Sequence, residues 1–184
     1  MATIKRPIKV YNGSAWDEIH AKTDSDMVVK DDFSLDKTNF NKFFGAKMSG
    51  DVIHNNPSLW IAWDGTNPGF TKQVDYAEVN SSKKEEIHIL KTGYYLISAR
   101  VKSSDLTGNT HLITSIDRVS NGTTDTIAIA SYDKQWSEGQ GSIAVFSYLE
   151  KGQFIRVVAT RIGSGAFRID AKETNVCMFP VYIP

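Results

Sequence analysis

The chain has 184 residues, with 21 Lys and Arg balanced by 21 Asp and Glu for zero formal charge. At that length folding buries roughly 70% of the unfolded surface, so one domain with an extension can hold itself together without staples. Neutrality removes the electrostatic footprint of a protein that tracks nucleic acid or anionic lipid, and no window approaches the ~18 apolar residues of a membrane span; neither nucleic acid nor a membrane is expected as a partner.

The segment Met1-Ala2-Thr3-Ile4-Lys5-Arg6-Pro7 is basic but no apolar run follows it, so secretion by a signal peptide is not expected, and work outside a cell implies release by lysis or assembly. Next, Ile8 to Tyr11 and Ala15 to Ile19 flank Asn12-Gly13-Ser14, which predicts a hairpin because Asn-Gly takes left-handed turn conformations readily. A lone hairpin is not stable, so this one must lean on a neighbour, with Trp16 as its anchor. From Ser34 to Phe44 the apolar residues 40, 43 and 44, with Ser34 as N-cap and Gly45 as stop, suggest a short helix or turn. Residues 1–50 therefore read as a hairpin, attachment and linker segment, and residues 51–184 as a head domain.

After Gly50 the chain is a succession of short apolar stretches: Leu59 to Trp63, Val74 to Val79, Ile87 to Leu90, Tyr94 to Val101, His111 to Val119, Thr126 to Ser131, Ser142 to Leu149, Phe154 to Arg161, Ala166 to Ile169 and Val176 to Ile183. Turn residues separate them at Thr107-Gly108-Asn109, Ser120-Asn121-Gly122, Lys151-Gly152 and Gly163-Ser164-Gly165. That spacing predicts an all-β sandwich or barrel. Two of the runs, Gly93 to Val101 and Ser142 to Leu149, are apolar on both faces. A sandwich strand needs one such face for its own core, so Tyr94, Leu96, Ala144, Phe146 and Tyr148 require a second partner, for which another copy of the chain is the simplest choice.

Residues with chemical potential are present but not arranged for catalysis. Cys177 stands alone in an apolar run, so no intrachain disulfide forms and a buried, inert thiol is expected. His20, His54, His88 and His111 lack metal-ligand spacing; His88 or His111, on strand-like runs, could gather where copies of the chain meet, but no metal and no cofactor are expected. Of the carboxylates Glu78, Glu85, Glu86, Asp117, Asp125, Asp133 and Glu138, Glu85 and Glu86 follow Lys83-Lys84 as a solvated edge and the others sit beside turns, unlike the buried acid and partner of a glycosidase. Gly139-Gln140-Gly141-Ser142 and Gly163-Ser164-Gly165 read as loops between strands, without the helix that a nucleophile elbow or phosphate loop needs.

Aromatic residues among hydrogen-bonding ones carry more. Ser131 to Glu138 reads as a loop in which Tyr132 and Trp136 can stack on sugar rings while Asp133 and its neighbours read hydroxyls, with core packing of Trp136 as the competing reading. Trp60-Ile61-Ala62-Trp63 looks like an early strand with one tryptophan in the core and one at an interface. Arg161, Arg168 and Lys172 either pair with Asp170 and Glu173 at the surface or contact an anionic phosphate.

The run Leu90 to Tyr95, the turn Leu149-Glu150-Lys151-Gly152-Gln153-Phe154 and the closing strand Cys177 to Ile183 resemble the ten-stranded jelly roll of complement-type heads and the tumour necrosis factor family. The resemblance covers about residues 51 to 184 and implies packing around a threefold axis, with Tyr94, Leu96, Phe146 and Tyr148 at the trimer interface. It departs at Gln153, where the family usually has aspartate, and in lacking a serine-phenylalanine-glycine near the end. Lys9 to His20 resembles the tryptophan-containing hairpin of tail-fibre and baseplate proteins of phages that infect Gram-positive bacteria. The combination implies a non-enzymatic virion protein, assembled in the host cytoplasm and released by lysis. Its N-terminal segment would join other tail or baseplate proteins, and its trimeric jelly-roll head would bind cell-wall polysaccharide or teichoic acid, with Tyr132, Asp133 and Trp136 as the ligand-binding residues. The alternative is a structural baseplate or capsid decoration protein that binds no glycan; a depolymerase would need a carboxylate pair that the sequence does not offer.

Overall fold

The computed structural model describes the backbone of residues 8–11 and 16–19, and residues 43–183 except 67, 69, 105–110, 134–137 and 164–165. The chain divides into two units, Met1–Phe40 and Asn41–Pro184. In the first, β1 (Ile8–Tyr11) and β2 (Trp16–Ile19) pair antiparallel, Ile8 opposite Ile19 and Tyr11 opposite Trp16, as the Asn-Gly turn predicts. The helix or turn expected from Ser34 lies outside the described residues up to residue 42. Its expected stop is different in kind: Gly45 is inside a strand, β3 (Phe44–Lys47), where a Cβ would come within 2.7 Å of the Phe70 side chain. Glycine there admits an aromatic ring against the backbone and does not end an element.

The second unit continues with β4 (Val52–His54), β5 (Ser58–Trp60), β6 (Gly65–Thr66), β7 (Ala77–Val79), β8 (Ile87–Ile89), β9 (Gly93–Ser104) and β10 (His111–Ser120). It closes with β11 (Thr123–Asp133), β12 (Glu138–Leu149), β13 (Phe154–Ile162), β14 (Phe167–Ile169) and β15 (Asn175–Tyr182). One sheet runs β11-β10-β13-β8-β7, with β5 also on β13. In the other, β12 takes one edge of β9 along its whole length, while β15 and β14 share the opposite edge and lead on to β3-β6 and β4. These strands pair antiparallel throughout, and the result is an all-β jelly-roll sandwich, as the strand spacing predicts.

The core lies between the sheets because residues of one parity point inward. On β9 these are Tyr95, Ile97, Ala99 and Val101; Leu112 and Ile116 of β10, Ile155, Val157 and Ala159 of β13, and Val176 and Met178 of β15 join them, all buried. Each fully buried Ile, Leu or Val contributes about 1.5–3 kcal/mol relative to exposure. Tyr76, just before β7, crosses the sandwich: its hydroxyl accepts from the Phe44 amide and donates to the Met178 carbonyl, both at 3.0 Å, tying the first sheet to a paired position of β3 and β15 in the second. Burial and loss of solvation push the Tyr76 hydroxyl up to about 12.

Gly139 to Ser142, expected as a loop, belongs to β12. A Cβ at Gly141 would meet Thr114 Oγ1 at 2.1 Å, so this glycine lets β12 close over β10 of the facing sheet. The turn at Asn121-Gly122 has φ values of 50° and 80°, the two left-handed residues of a type I′ hairpin between β10 and β11. At the turn between β12 and β13, Gly152 takes φ 92° and Gln153 folds back so that its Oε1 accepts from the Glu150 amide at 3.0 Å. Gln153 thus supplies the turn with a side-chain acceptor.

Candidate functional site: an aromatic outer face

The outward parity of β9, β12 and β15 forms rows across the second sheet. Tyr148, Tyr94 and Tyr182 stand opposite one another in the first row, and Phe146, Leu96 and Phe179 in the next. Tyr94 stacks on Phe146 at 5.4 Å and tilts against Tyr148 at 5.1 Å, and Phe43 meets Phe179 edge-on at 4.9 Å. These side chains touch each other yet remain open: Tyr94 is 40% exposed, Leu96 41%, Phe146 57%, Tyr148 42% and Tyr182 52%. All four residues expected at an interface are therefore together on one surface. Tyr182 is not expected there from the sequence, because the register shifts between Pro180 and Tyr182 and turns this residue to the face that strict alternation denies it.

The face changes character along the strands. Beyond a middle row of Ala144, Ser98 and Cys177 it becomes charged. Arg100 Nη2 donates to Glu173 Oε2 at 2.5 Å and to Gln140 Oε1 at 2.7 Å, and Lys102 Nζ donates to Glu173 Oε1 at 2.9 Å. The hydrogen bond from Lys102 holds the Glu173 carboxyl below its ordinary range, aided by the charges of Lys102, Arg100 and Lys172 against a smaller effect of burial. Cys177 is half-buried here, its thiol pushed up by desolvation.

Of the carbohydrate residues expected from the sequence, the structure describes the backbone of Tyr132 and Asp133. Ser131, Tyr132 and Asp133 continue β11, paired with Ile113, Leu112 and His111, so this stretch is strand where a loop was expected; backbone bonding to β10 carries the strand past its apolar pattern. Trp136 lies outside the described residues. Trp63 is fully buried, the core position expected of one of that pair, and Trp60, paired with β13 in the first sheet, is 51% exposed with the Arg156 guanidinium 4.3 Å over its ring.

Other expected groups are engaged in structure. Glu86 is not solvated as Lys83-Lys84 implied: it is 3% exposed, with Oε1 accepting from Arg156 at 2.7 Å and Oε2 from His88 at 3.1 Å and Asn80 at 3.2 Å. Burial raises its pKa, but those hydrogen bonds and the charge of Lys83 more than offset it and hold the carboxyl below the ordinary range. Asp117 accepts from Thr126 at 2.8 Å, and Asp125 pairs with Arg118 at 3.0 Å. Arg168 pairs with Asp170, as expected, and with Asp51. Arg161 differs: it shares the inward parity of β13 and lies buried near the ring of Phe167, not at the surface. Among the described residues, no group of three or more His, Cys, Asp or Glu side chains is placed to hold a metal ion.

No protein family and no curated protein sequence matches the chain. Solved structures do: crystal structures of murine APRIL at pH 8.5 and pH 5.0 superpose with TM-scores of 0.55 and 0.56, at 13% identity, over 76% of this chain and 99% and 98% of theirs. At that identity the likeness is one of fold, and the fold is the jelly roll of the tumour necrosis factor type.

Proposed function

We propose that the protein is a non-enzymatic component of a phage tail or baseplate whose head assembles as a homotrimer and binds carbohydrate on the host cell surface. The observation that carries the trimer is the contiguous aromatic face of β9, β12 and β15. Monomeric proteins seldom leave a contiguous apolar patch of several hundred Å² in water, and such patches mark interaction surfaces. The occupant is a second copy of the chain, because the jelly-roll resemblance implies threefold packing through these strands and the neighbouring charged end is already paired within the protomer. Three heads together raise the avidity of sites that are weak singly. The hairpin of β1 and β2 is the attachment segment of this reading, and Tyr132, Asp133 and Trp136 are its first ligand candidates.

Sedimentation equilibrium of the purified chain tests the assembly, and a monomer at micromolar concentration would sink it. For the ligand, wild-type protein and Trp136→Ala are compared for binding to purified Gram-positive wall polysaccharides. Trimeric wild-type protein that retains no polymer, yet is captured by tail components, would point instead to the structural baseplate role.

A further inference from the structure

The edge of the sandwich farthest from β11 and β12 holds a cleft of about 530 Å³, lined by Trp63 and Asp64, the segments 72–73 and 78–81, and Lys84 and His88. That volume lies among those of small-molecule sites, roughly 300–1,000 Å³. We propose that this cleft is a subsite for a neutral saccharide, an inference that rests on the carbohydrate-binding reading and gives it a second location.

Part of the lining is fixed by bonds within the protein. Asp64 accepts from the Ser49 amide at 2.8 Å and its hydroxyl at 2.6 Å, and Lys72 Nζ donates to the Asp64 carbonyl at 2.8 Å. Asn80 Oδ1 accepts from the amides of Ser82 and Lys83, while its Nδ2 lies within reach of Glu86 and His88. The rim is thus preorganised, which lowers the ordering cost of binding.

Another part is left over for a ligand. Lys84 acts on Asp64 through its charge, with no side-chain hydrogen bond to it among the described residues, and the side chains of Gln73 and Glu78 share one long contact, 3.4 Å from Nε2 to Oε2. The buried indole Nε1 of Trp63 finds no acceptor among the described residues. Ammonium, amide, carboxylate and hydroxyl groups, the last from Ser81, therefore surround the opening, a mixture that suits vicinal hydroxyls. Lys72 and Lys84 are balanced by Asp64 and Glu78, which favours an uncharged ligand over a phosphate or a carboxylate.

A peptide strand is the poorer fit. The outer edge of β7 is already occupied, since the Val79 amide donates to the Lys72 carbonyl and the Val74 amide to the Ala77 carbonyl, each at 2.9 Å. The β7 edge therefore offers no open ladder for strand addition beside the cleft, and a ligand there is read by side chains. The cleft shares no lining residue with the aromatic outer face.

The test uses the full chain, labelled with nitrogen-15, titrated separately with glucose, galactose, N-acetylglucosamine and rhamnose at millimolar concentration. Amide and indole shifts are followed in wild type, Glu78→Ala, Lys84→Ala and Trp136→Ala. The expected result is that one sugar moves Trp63, Gln73 and Ser81, that Glu78→Ala and Lys84→Ala each weaken it about tenfold, as loss of a ligand hydrogen bond does, and that Trp136→Ala leaves it unchanged. Shifts confined to 131–138, equal affinity in both cleft variants, or no shift in the cleft with any of the four sugars would overturn the subsite. If wild type still binds wall polysaccharide in that last case, the attachment reading survives the loss of the subsite. Sugar binding in the cleft of a protein that no wall polymer retains would do the opposite, upholding the subsite and sinking attachment.

Discussion

The rings of Tyr94 and Phe146 lie 5.4 Å apart and within 9° of parallel, on adjacent strands and on the side of the sheet turned away from the core. They stack without being covered, so their energetic potential toward a further surface is largely intact.

Phe146→Asp should therefore separate assembly from folding. Burial of a phenylalanine is worth about 1.5–3 kcal/mol, and a carboxylate sealed into the same contact adds several kcal/mol of desolvation. If the proposed trimer forms through this face, sedimentation should show trimers for wild type and monomers for the variant, with the far-ultraviolet spectrum unchanged. A variant that remains trimeric at wild-type affinity would place the interface elsewhere.

Tyr76→Phe removes the hydroxyl that serves the Phe44 amide and the Met178 carbonyl. Two buried backbone groups lose a partner, so urea titration should report a loss of about 1–3 kcal/mol. Tyr94→Phe, which deletes a hydroxyl from the exposed face, should cost less than about 0.5 kcal/mol.

Glu86 gives the fold an acid-sensitive joint. Its carboxyl is held below the ordinary value of 4.5, so its stabilising contribution is complete above that value and disappears as pH falls through the lower folded one. Glu86→Gln should be less stable than wild type by about 1–3 kcal/mol at neutral pH, the worth of hydrogen bonds to a charged group. The gap should narrow in denaturant titrations repeated toward pH 3. A pH-independent gap would mean that packing, not ionisation, is what the substitution removes.

Cys177 lies in the row between the aromatic and charged halves of the outer face, and its thiol is pushed up by burial. At neutral pH it should react with maleimide at least about tenfold more slowly than the unfolded chain, since the thiolate is the nucleophile. The monomeric Phe146→Asp protein should label faster than the trimer; equal rates would show that the cysteine is not shielded by sister chains.

Each of the ten apolar runs after Gly50 contains or overlaps a strand, because alternating burial leaves a period that composition alone reveals. β3, β4 and β6 leave no such trace: Phe44–Lys47 holds a glycine and a lysine in four residues, and Val52–His54 and Gly65–Thr66 are too short to show a period. Tyr94, Leu96, Phe146 and Tyr148 are legible as one outward apolar set because both parities of their strands are apolar. The Trp63 cleft is not, because its polar side chains come from segments whose proximity depends on how 72–79 folds back beside Asp64. Glu86 misleads for the same reason: its main counter-charge, Arg156, is 70 residues away in the chain.

The alternation along β9 sorts the consequences of mutation by residue number. Damage at Tyr95, Ile97, Ala99 or Val101 should lower the amount of folded protein, whereas damage at Tyr94 or Leu96 should leave that amount intact and change only the company it keeps. A saturation library scored once for abundance and once for self-association would then yield two tolerance profiles of the same strand, each with period two and offset by one position.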